Sequence, residues 1–376
     1  MNILVVPDKF KDSLSAQEVV QAITKGIQKH DIKHKIHSIM ASDGGDGFLD
    51  AIHQIYSNLD TVKTKTVNAL GEPILSSYLF DNENNIAYIE LAKSSGLASL
   101  KHFERDCKNT STYGTGIQIK HAIKKGAKTI FIGLGGSATN DGGAGIAHAL
   151  NIKFLNKKGK GIFPQGKTLI DIDKISIPEL NFESVDFYAI NDVNNWLLGT
   201  NGATYTYAKQ KGASTLDLPE LELGMKNLFD KTKNQLPKIT DQAGFGAAGG
   251  TSFGLATFFN AEIISGIDFI FDKNNIDKSL INNQIDLIIT GEGKIDDQTV
   301  NGKFIAGVTN KAKKYHIPVV GICGVCELQN YSINDLGLHS IYPIKTKNMS
   351  SKESFNNAAK LIEEKVFELL KTEIFI

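Results

Sequence analysis

The sequence has few of the residues that mark secreted, nucleic-acid-binding or membrane proteins. Only three of its 376 residues are cysteine, too few for a disulfide framework. Acidic and basic residues number 41 each, so no net positive charge attracts nucleic acid or an anionic membrane. No stretch approaches the ~18 apolar residues that span a bilayer. These absences predict a cytoplasmic protein without a nucleic-acid or membrane partner.

Arginine is nearly absent as well. Arg105 is the single arginine, so any bidentate guanidinium clamp on a carboxylate must use this residue. Cys323 and Cys326 form a CxxC, but no second such pair and no histidine pair at ligand spacing accompany them. The pair therefore predicts two small residues that close a buried strand, in preference to a zinc or redox site.

Strand and helix patterns alternate along the chain. "NILVV" (2–6) and "DLIIT" (286–290) predict buried strands, each followed by a polar turn and a helix. Ser15 and Glu18 predict a capping box at the first of these helices. Further strands are predicted at 86–91, 129–134 and 186–190, with helices near 114–125 and 252–259. Both chain ends thus carry the units of a parallel sheet, and the length predicts roughly two domains.

One loop is unusually rich in glycine. "IGLGGSATNDGGAG", residues 132–145, contains six glycines in fourteen positions and directly follows a predicted strand. Tight turns account for two or three of them. Without side chains, backbone amides can approach an anion closely, and a following helix adds its positive end. The loop therefore predicts an anion site.

Carboxylates stand in four separate loops of this kind. They are Asp43 and Asp46 in "SDGGDG", Asp141 in "TNDGG", Asp192 in "NDVNN", and Glu292, Asp296 and Asp297 in "TGEGKIDD". Phosphoryl transfer uses carboxylates to hold magnesium and to accept the proton of the attacking hydroxyl. Each one alone is typical of a turn or a helix cap. Together they favour a kinase.

Two better-known phosphate motifs compete with this interpretation. "GIFPQGKT" (161–168) matches the Walker A pattern, but no strand precedes it and Pro164 interrupts it, which indicates an accidental match. "GFGAAG" (244–249) matches the dinucleotide GxGxxG, again without a predicted strand before it. The alternatives left open are an NAD-dependent hydroxy-acid oxidoreductase and a non-catalytic metabolite-binding protein.

Eight blocks, in order along nearly the whole chain, resemble the bacterial type I glycerate kinases. The blocks are "PDKFKDSLSA", "SDGGDG", "IELAKSSGL", "RDCKNTSTYGTG", "GLGGSATNDGGAG", "NDVNNWLLGTNGATYTYAKQKGA", "GFGAAGGTSFGL" and "ITGEGKIDDQT". The resemblance implies ATP-dependent, Mg²⁺-requiring phosphorylation of D-glycerate, usually at the 2-hydroxyl to give 2-phosphoglycerate. It also implies two unlike α/β domains, one a Rossmann-like parallel sheet built from both chain ends. We place that domain at residues 1–65 plus 284–376, the inserted α/β domain at 66–283, and the active site in the cleft between them.

The matched blocks suggest roles for individual residues. Asp192 is the predicted base and Lys11 neutralises charge on the transferred phosphoryl group. Asp296 and Asp43 are the predicted magnesium ligands. Substrate or phosphate binding is assigned to Arg105, Gly135, Gly136, Ser137, Thr139, Asn140, Gly246 and Gly249. The choice between the 2- and the 3-hydroxyl, the loop that holds ATP and the formation of a homodimer stay open.

Overall fold

The computed structural model describes residues 1–372 except 12, 41, 43, 179–183, 237–238, 283, 298, 300–302 and 347. The protein has a mixed α/β fold with parallel sheets, as the sequence predicts. Contacts between Cα atoms divide it into two compact units. We call Met1–Ser42 with Gly266–Ile376 the terminal unit and Asp43–Ser265 the central unit. Within the described residues, no helix combines the length and the apolar character that crossing a membrane requires.

The elements are numbered in chain order. The strands are β1 (Asn2–Val5), β2 (Lys35–Ser38), β3 (Asp60–Val67), β4 (Pro73–Asp81), β5 (Ile86–Glu90), β6 (Thr129–Gly133), β7 (Lys153–Leu155), β8 (Gly161–Ile162), β9 (Lys174–Ser176), β10 (Asp186–Ile190), β11 (Glu262–Ile264), β12 (Leu287–Asp296), β13 (Val319–Glu327) and β14 (Ser340–Pro343). The α-helices are α1 (Ala16–His30), α2 (Phe48–Ile55), α3 (Ala92–Ser95), α4 (Tyr113–Lys125), α5 (Ala144–Ala149), α6 (Ala203–Tyr207), α7 (Leu218–Gln235), α8 (Ala247–Phe259), α9 (Gly266–Lys273), α10 (Ile276–Ile281), α11 (Lys303–Lys313), α12 (Ser351–Asn356) and α13 (Ala358–Thr372).

The terminal unit contains a five-stranded sheet in the order β14-β13-β12-β1-β2, with every neighbouring pair parallel. β1 is apolar because both of its faces are covered: Ile3, Leu4 and Val5 are completely buried. Its register places Ile3 beside Leu287. The predicted capping box is confirmed: the Glu18 amide donates to Ser15 Oγ (3.3 Å) and the Ser15 amide donates to Glu18 Oε2 (2.8 Å). The helix α1 that it begins packs on α13.

β12 is longer than the sequence suggests. We expected a glycine turn after residue 290, yet the strand continues to Asp296 and pairs with β13 as far as Glu327. Gly291 permits this pairing, because a Cβ there would overlap the carbonyl of Ile322. Glycine here serves strand packing, and the carboxylates at 292 and 296 stand on a strand instead of on a loop.

The central unit contains a six-stranded sheet in the order β11-β10-β6-β5-β4-β3. The strands from β5 to β11 pair in parallel, and β3, β4 and β5 form antiparallel pairs. Between β6 and β10 in the chain, three short strands form an antiparallel sheet in the order β8-β7-β9. The strands predicted at 86–91, 129–134 and 186–190 and the helix at 114–125 are confirmed, with ends that differ by one residue at most.

The divisions between the units differ from residues 65 and 284, where the sequence analysis places them. Residues 48–55 form α2, which packs on β5 of the central unit, and β3 pairs with β4 in the same unit. Residues 266–273 form α9, which packs on α11 of the terminal unit. Both assignments follow from contacts distant in sequence, which local patterns do not contain.

Candidate active site

The parallel strands β6 and β10 place two of the predicted site loops at one edge of the central sheet. Gly133 and Ile190, the last residues of these strands, are partners in the register. The glycine loop, which we define as residues 133–145, therefore begins beside the loop that contains Asp192. The carboxyl ends of parallel strands are where ligands bind in open α/β sheets.

The glycines of the glycine loop are closely packed by neighbouring residues. A Cβ on Gly135 would overlap the Cα of Gly45, and a Cβ on Gly142 would lie 2.5 Å from a methyl of Leu228. The Gly135 amide donates to the carbonyl of Gly44 at 2.9 Å, so it is already used within the protein. Close packing thus accounts for the glycines at 135 and 142, and the Gly135 amide is not available to an anion. The anion-binding role of the rest of the loop stays a prediction.

Gly136 is constrained in a second way. Its φ of +71° lies in the left-handed region, and a Cβ would stand 2.9 Å from Asp46 Oδ1. A valine at this position is therefore strained whatever the loop binds. Loss of binding in Gly136→Val would not by itself demonstrate an anion site, so side-chain variants are the sharper probe.

Asp141 fixes the conformation of the loop. Its carboxylate is completely buried and accepts hydrogen bonds from the Thr112 amide (2.7 Å), the Thr112 hydroxyl (2.8 Å) and the amides of Gly143 and Gly145. Burial raises the pKa of this carboxyl, and these donors oppose the shift. Asp141 is therefore an organiser of the loop.

Three neighbouring polar side chains of the loop are buried. Ser137 is 5% exposed, and Thr139 and Asn140 are completely buried. Thr139 Oγ1 and Asn140 Oδ1 have no hydrogen-bond partner among the described residues, although Asn140 Nδ2 donates to Thr204 Oγ1 (3.3 Å). Buried polar atoms normally have partners, so this cluster is suited to hold ligand oxygens or water.

A lysine that the sequence analysis did not assign completes this cluster. Lys211 is 3% exposed, and its Nζ donates to Ser137 Oγ (2.7 Å) and to the Thr139 carbonyl (2.8 Å). Burial lowers the pKa of this ammonium to about 8. The only signal for it was that "YAKQKG" belongs to one of the eight blocks quoted above, because a lysine between polar residues and a glycine is by itself typical of an exposed turn.

Arg105 lies on a segment that runs beside Lys211. A Cβ on Gly212 would overlap the Arg105 carbonyl, and the Cys107 amide donates to the Lys211 carbonyl at 3.0 Å. Arg105 forms no ion pair with any carboxylate in the described part of the chain, and its Nε is buried without a partner there. A partly buried guanidinium in this state is suited to a ligand carboxylate.

Asp192 follows β10 directly, at the position that the sequence analysis predicts. It is partly buried, and its Oδ1 accepts a hydrogen bond from the Ser265 hydroxyl at 2.9 Å. The preceding residue, Asn191, donates its amide to the carbonyl of Ile264, which ties this loop to the end of β11. The carboxylate is therefore held in place at the edge of the sheet.

The segment "GFGAAGG" packs against the glycine loop. Ala248, Gly249 and Gly250 all have positive φ, and a Cβ on Gly249 would overlap the Thr139 carbonyl. The Gly246 amide donates to the Asn195 carbonyl (2.9 Å), so it too is used internally. Residues 239–243, which precede the motif, form no strand. The dinucleotide interpretation lacks the strand on which it depends.

The terminal unit carries a second group of candidate residues. Glu292 on β12 accepts a hydrogen bond from the Thr299 hydroxyl at 2.6 Å. Burial raises the pKa of its carboxyl to about 7, and the charges of Asp8 and Asp296 act in the same direction. Lys294 Nζ lies 3.1 Å from Asp296 Oδ2. We call Asp8, Glu292 and Asp296 the carboxylate group; the sequence analysis gave no role to Asp8, although it follows the buried strand β1.

A cavity of about 570 Å³ lies within the terminal unit beside this group. Lys11, the predicted phosphoryl-neutralising residue, is on its wall together with three more lysines, Lys9, Lys294 and Lys345. Its apolar wall includes Phe10, Val325, Ile344 and Phe355. Asp8, Glu292 and Glu327 also line it, so the cavity combines charged side chains of both signs with apolar surface.

Not every predicted site residue falls in these clusters. Asp43, one of the two predicted metal ligands, lies outside the described residues. Within the described part of the chain, no three His, Cys, Asp or Glu side chains come close enough together to hold a metal ion. The structure brings Ser137, Thr139, Asn140 and Gly249 together in the central unit. Lys11 and Asp296 lie in the terminal unit.

Comparisons with known proteins identify one family over nearly the whole chain. The model of the glycerate kinase family matches residues 3–372. The chain is 35% identical to glycerate kinase from Bacillus cereus, covering 96% of this chain and 95% of that one, and 36% identical to glycerate 2-kinase from Escherichia coli, covering 95% and 94%. A crystal structure of a Salmonella typhimurium LT2 protein, provisionally named glycerate kinase 2, superposes with a TM-score of 0.80 at 32% identity, covering 99% and 98%.

These matches confirm the resemblance read from the sequence blocks, and with it the prediction that the protein is a kinase. Because the family model and the relatives each span nearly the whole chain, the chain belongs to the glycerate kinase family.

Proposed function

We propose that this protein phosphorylates D-glycerate with ATP and that the product is 2-phosphoglycerate. The observation that carries the proposal is the similarity over 95% of the chain to the Escherichia coli protein named glycerate 2-kinase. The buried polar cluster at Ser137–Asn140 provides hydroxyl donors and the acceptor Asn140 Oδ1 for a small hydroxy acid. The Arg105 guanidinium, which has no carboxylate partner among the described residues, provides further donors. Glycerate carries one carboxylate and two hydroxyls, which such donors recognise.

We assign ATP to the cavity of the terminal unit. A three-carbon acid is too small to use about 570 Å³, a volume within the usual range for nucleotide-sized ligands. Its lysines suit the phosphates, and Phe355, 50% exposed at the cavity wall, offers an aromatic surface for the base. The two units would then be two domains, with the terminal unit as the Rossmann-like domain built from both chain ends.

The residues present fit a magnesium ion. Mg²⁺ prefers oxygen ligands and usually takes one or two carboxylates together with substrate phosphates and water. The carboxylate group offers such oxygens, so the lack of a three-carboxylate cluster in the described residues is compatible with this mode of binding. Asp296 would be the ligand from this chain; a bound Mg²⁺ neutralises charge on the phosphates. The role proposed for Asp43 stays a prediction.

The reacting groups follow from chemistry and position. The oxygen of the 2-hydroxyl attacks the terminal phosphorus of ATP, and ADP leaves. Asp192 accepts the proton of that hydroxyl. The Ser265 hydroxyl holds Asp192 Oδ1 and thereby orients the carboxylate. Lys11 offsets negative charge that develops on the phosphoryl oxygens. The cleft location of the active site, the homodimer and the cytoplasmic location stay predictions.

A coupled assay tests the proposal. ADP release is measured with D-glycerate, with L-glycerate and without an acceptor, and ³¹P NMR identifies the phosphorylated carbon. We expect ADP release that depends on D-glycerate and a 2-phosphoglycerate signal. A 3-phosphoglycerate signal would overturn the regiochemistry alone, and a rate independent of glycerate would overturn the function.

The cavity assignment has its own test. Phe355→Ala should raise KM for ATP about tenfold with little change in KM for glycerate, because the base loses its aromatic contact. Phe103→Ala, an exposed phenylalanine of the central unit, is the matched control. An unchanged KM for ATP in Phe355→Ala would remove the nucleotide from this cavity.

The two alternatives receive no support. An NAD-dependent oxidoreductase would bind its cofactor at "GFGAAG", where the preceding residues 239–243 are not a strand. A metabolite-binding protein without activity would keep the loops and show no turnover. The same coupled assay distinguishes both from a kinase.

A further inference from the structure

Lys211 is a buried cation without a carboxylate partner. Its side chain is 3% exposed, and no carboxylate of the described residues lies within ion-pair distance of its Nζ. Asp141 and Cys107 are near enough to act on it electrostatically, but the Asp141 oxygens already accept bonds from Thr112 and from glycine amides. Burying an ammonium without a counter-charge is costly, so the fold tolerates it only where something else offsets the cost.

The hydrogen bonds around Lys211 have a defined direction. An ammonium has three donors and no acceptor, so Ser137 Oγ must accept at 2.7 Å and the Thr139 carbonyl must accept at 2.8 Å. The hydroxyl proton of Ser137 is therefore left to donate elsewhere, and among the described residues Ser137 Oγ forms no hydrogen bond in which it is the donor. Thr139 Oγ1, two residues later, is also buried without a partner there.

We propose that Lys211 is a positioning residue that turns the Ser137 hydroxyl proton toward a bound anion and supplies the countercharge for it. The anion is a ligand oxygen group, either the carboxylate of glycerate or a phosphate of ATP, and in this sense the inference rests on the proposed function. The assignment of ATP to the other unit makes the glycerate carboxylate the expected occupant. Anion binding would offset the cost of burying the ammonium. A purely structural role of Lys211 would leave that cost unexplained.

Variants separate this role from a structural one. Lys211→Met removes the charge and the donors, and Lys211→Gln keeps donors without charge. Ser137→Ala removes the hydroxyl that Lys211 orients. Lys209→Met is the matched control, because Lys209 belongs to the same short 3₁₀ helix and is exposed. Binding of D-glycerate and of ATP is measured separately by calorimetry, with glycerol and adenosine as the probes that lack the anionic group.

We expect Lys211→Met to weaken binding of one anion at least tenfold, with Lys211→Gln intermediate and the control unchanged. The affinity for the corresponding neutral probe, glycerol or adenosine, should be the same in Lys211→Met and in wild type. Lys211→Met and Ser137→Ala are also combined in a double variant. Because Lys211 acts through Ser137, the double variant should bind the anion little more weakly than the single variant with the lower affinity. Loss confined to D-glycerate identifies the carboxylate as the occupant, and loss confined to ATP identifies a phosphate.

Two results would overturn the inference: unchanged affinity for both anions in a folded Lys211→Met, or fully additive losses in the double variant. If neither lysine variant folds, Ser137→Ala alone tests the inference. Unchanged affinity of this variant for both anions would then reject the inference. These are binding measurements, so their outcome is separate from that of the ADP-release assay with wild-type protein. A wild type that binds anions through Lys211 but does not phosphorylate glycerate would reject only the proposed function.

Discussion

Asp141 Oδ2 accepts two hydrogen bonds from Thr112, one from its amide at 2.7 Å and one from its hydroxyl at 2.8 Å. The two residues lie just before different helices of the central unit: Thr112 precedes α4, and Asp141 precedes α5. A completely buried carboxylate thus joins the starts of two helices and holds the glycine loop between them.

We predict that Asp141→Asn destabilises the protein severely. The NH2 group of asparagine would replace one of the two oxygens and point donors at donors, so either the Gly143 amide or the amides of Thr112 and Gly145 would lose their acceptor. The free energy of unfolding should fall by about 3 kcal/mol or more, measured by urea denaturation. Asp230→Asn, in an exposed ion pair with Lys226, should change it by less than about 1 kcal/mol. Similar losses in both variants would contradict this organising role.

The base assignment predicts a loss of turnover in Asp192→Asn. Asparagine keeps the shape and the bond from Ser265 but cannot accept the hydroxyl proton, so kcat should fall about 10²- to 10⁴-fold with a modest change in KM. Asp186→Asn, exposed at the start of the same strand, is the control. Turnover is measured across a magnesium titration. Recovery at high magnesium would mark Asp192 as a metal ligand, and near-normal activity would exclude it from catalysis.

Glu292 should limit stability at neutral pH. The pKa of its carboxyl is about 7 in the folded protein against an ordinary value of 4.5, so between these values the folded state holds a proton that the unfolded state has lost. Stability therefore falls as pH rises through this window, and the full penalty is present above pH 7. Glu292→Gln removes it and should be more stable than wild type by up to about 3 kcal/mol at pH 8, with no gain at pH 4.

Urea denaturation at the two pH values, without nucleotide or magnesium, measures this effect. Glu327→Gln, exposed on the neighbouring strand β13, should show no such dependence on pH. Equal stability of Glu292→Gln and wild type at pH 8 would contradict the prediction. A gain in stability of Glu292→Gln at pH 8 would show that the carboxylate destabilises the fold, which points to a functional role at this position.

Lys211 should produce the opposite dependence on pH. The pKa of its ammonium is about 8 in the folded protein against an ordinary 10.5, so between these values the unfolded state holds the extra proton. Stability from this group therefore rises with pH over that window. Relative to Lys211→Met, wild type should gain up to about 3 kcal/mol between pH 7.5 and pH 10.5. Lys209→Met is expected to follow wild type, because Lys209 is exposed. A constant difference between Lys211→Met and wild type would show that Lys211 does not titrate in this range.

Local elements of the fold could be predicted because their signals lie within a few residues. The capping box of Ser15 and Glu18, the strand 186–190 and the helix beginning near 114 depend on spacing alone. The continuation of β12 through Gly291 could not be predicted, because the need for a glycine there arises from close packing against the carbonyl of Ile322 on another strand. The same reason explains the shifted divisions between the units.

The sequence by itself determined the family, the alternation of strands and helices, and the segments from which a site could be built, because these depend on residue type and order. Only the tertiary structure decided how those segments are used. The amides of Gly135 and Gly246 are consumed by backbone partners, whereas Ser137 and Thr139 meet Lys211, whose Nζ comes from a segment more than seventy residues away. Hydrogen bonds and close packing between distant segments set which atoms remain for a ligand, and no local pattern encodes that choice.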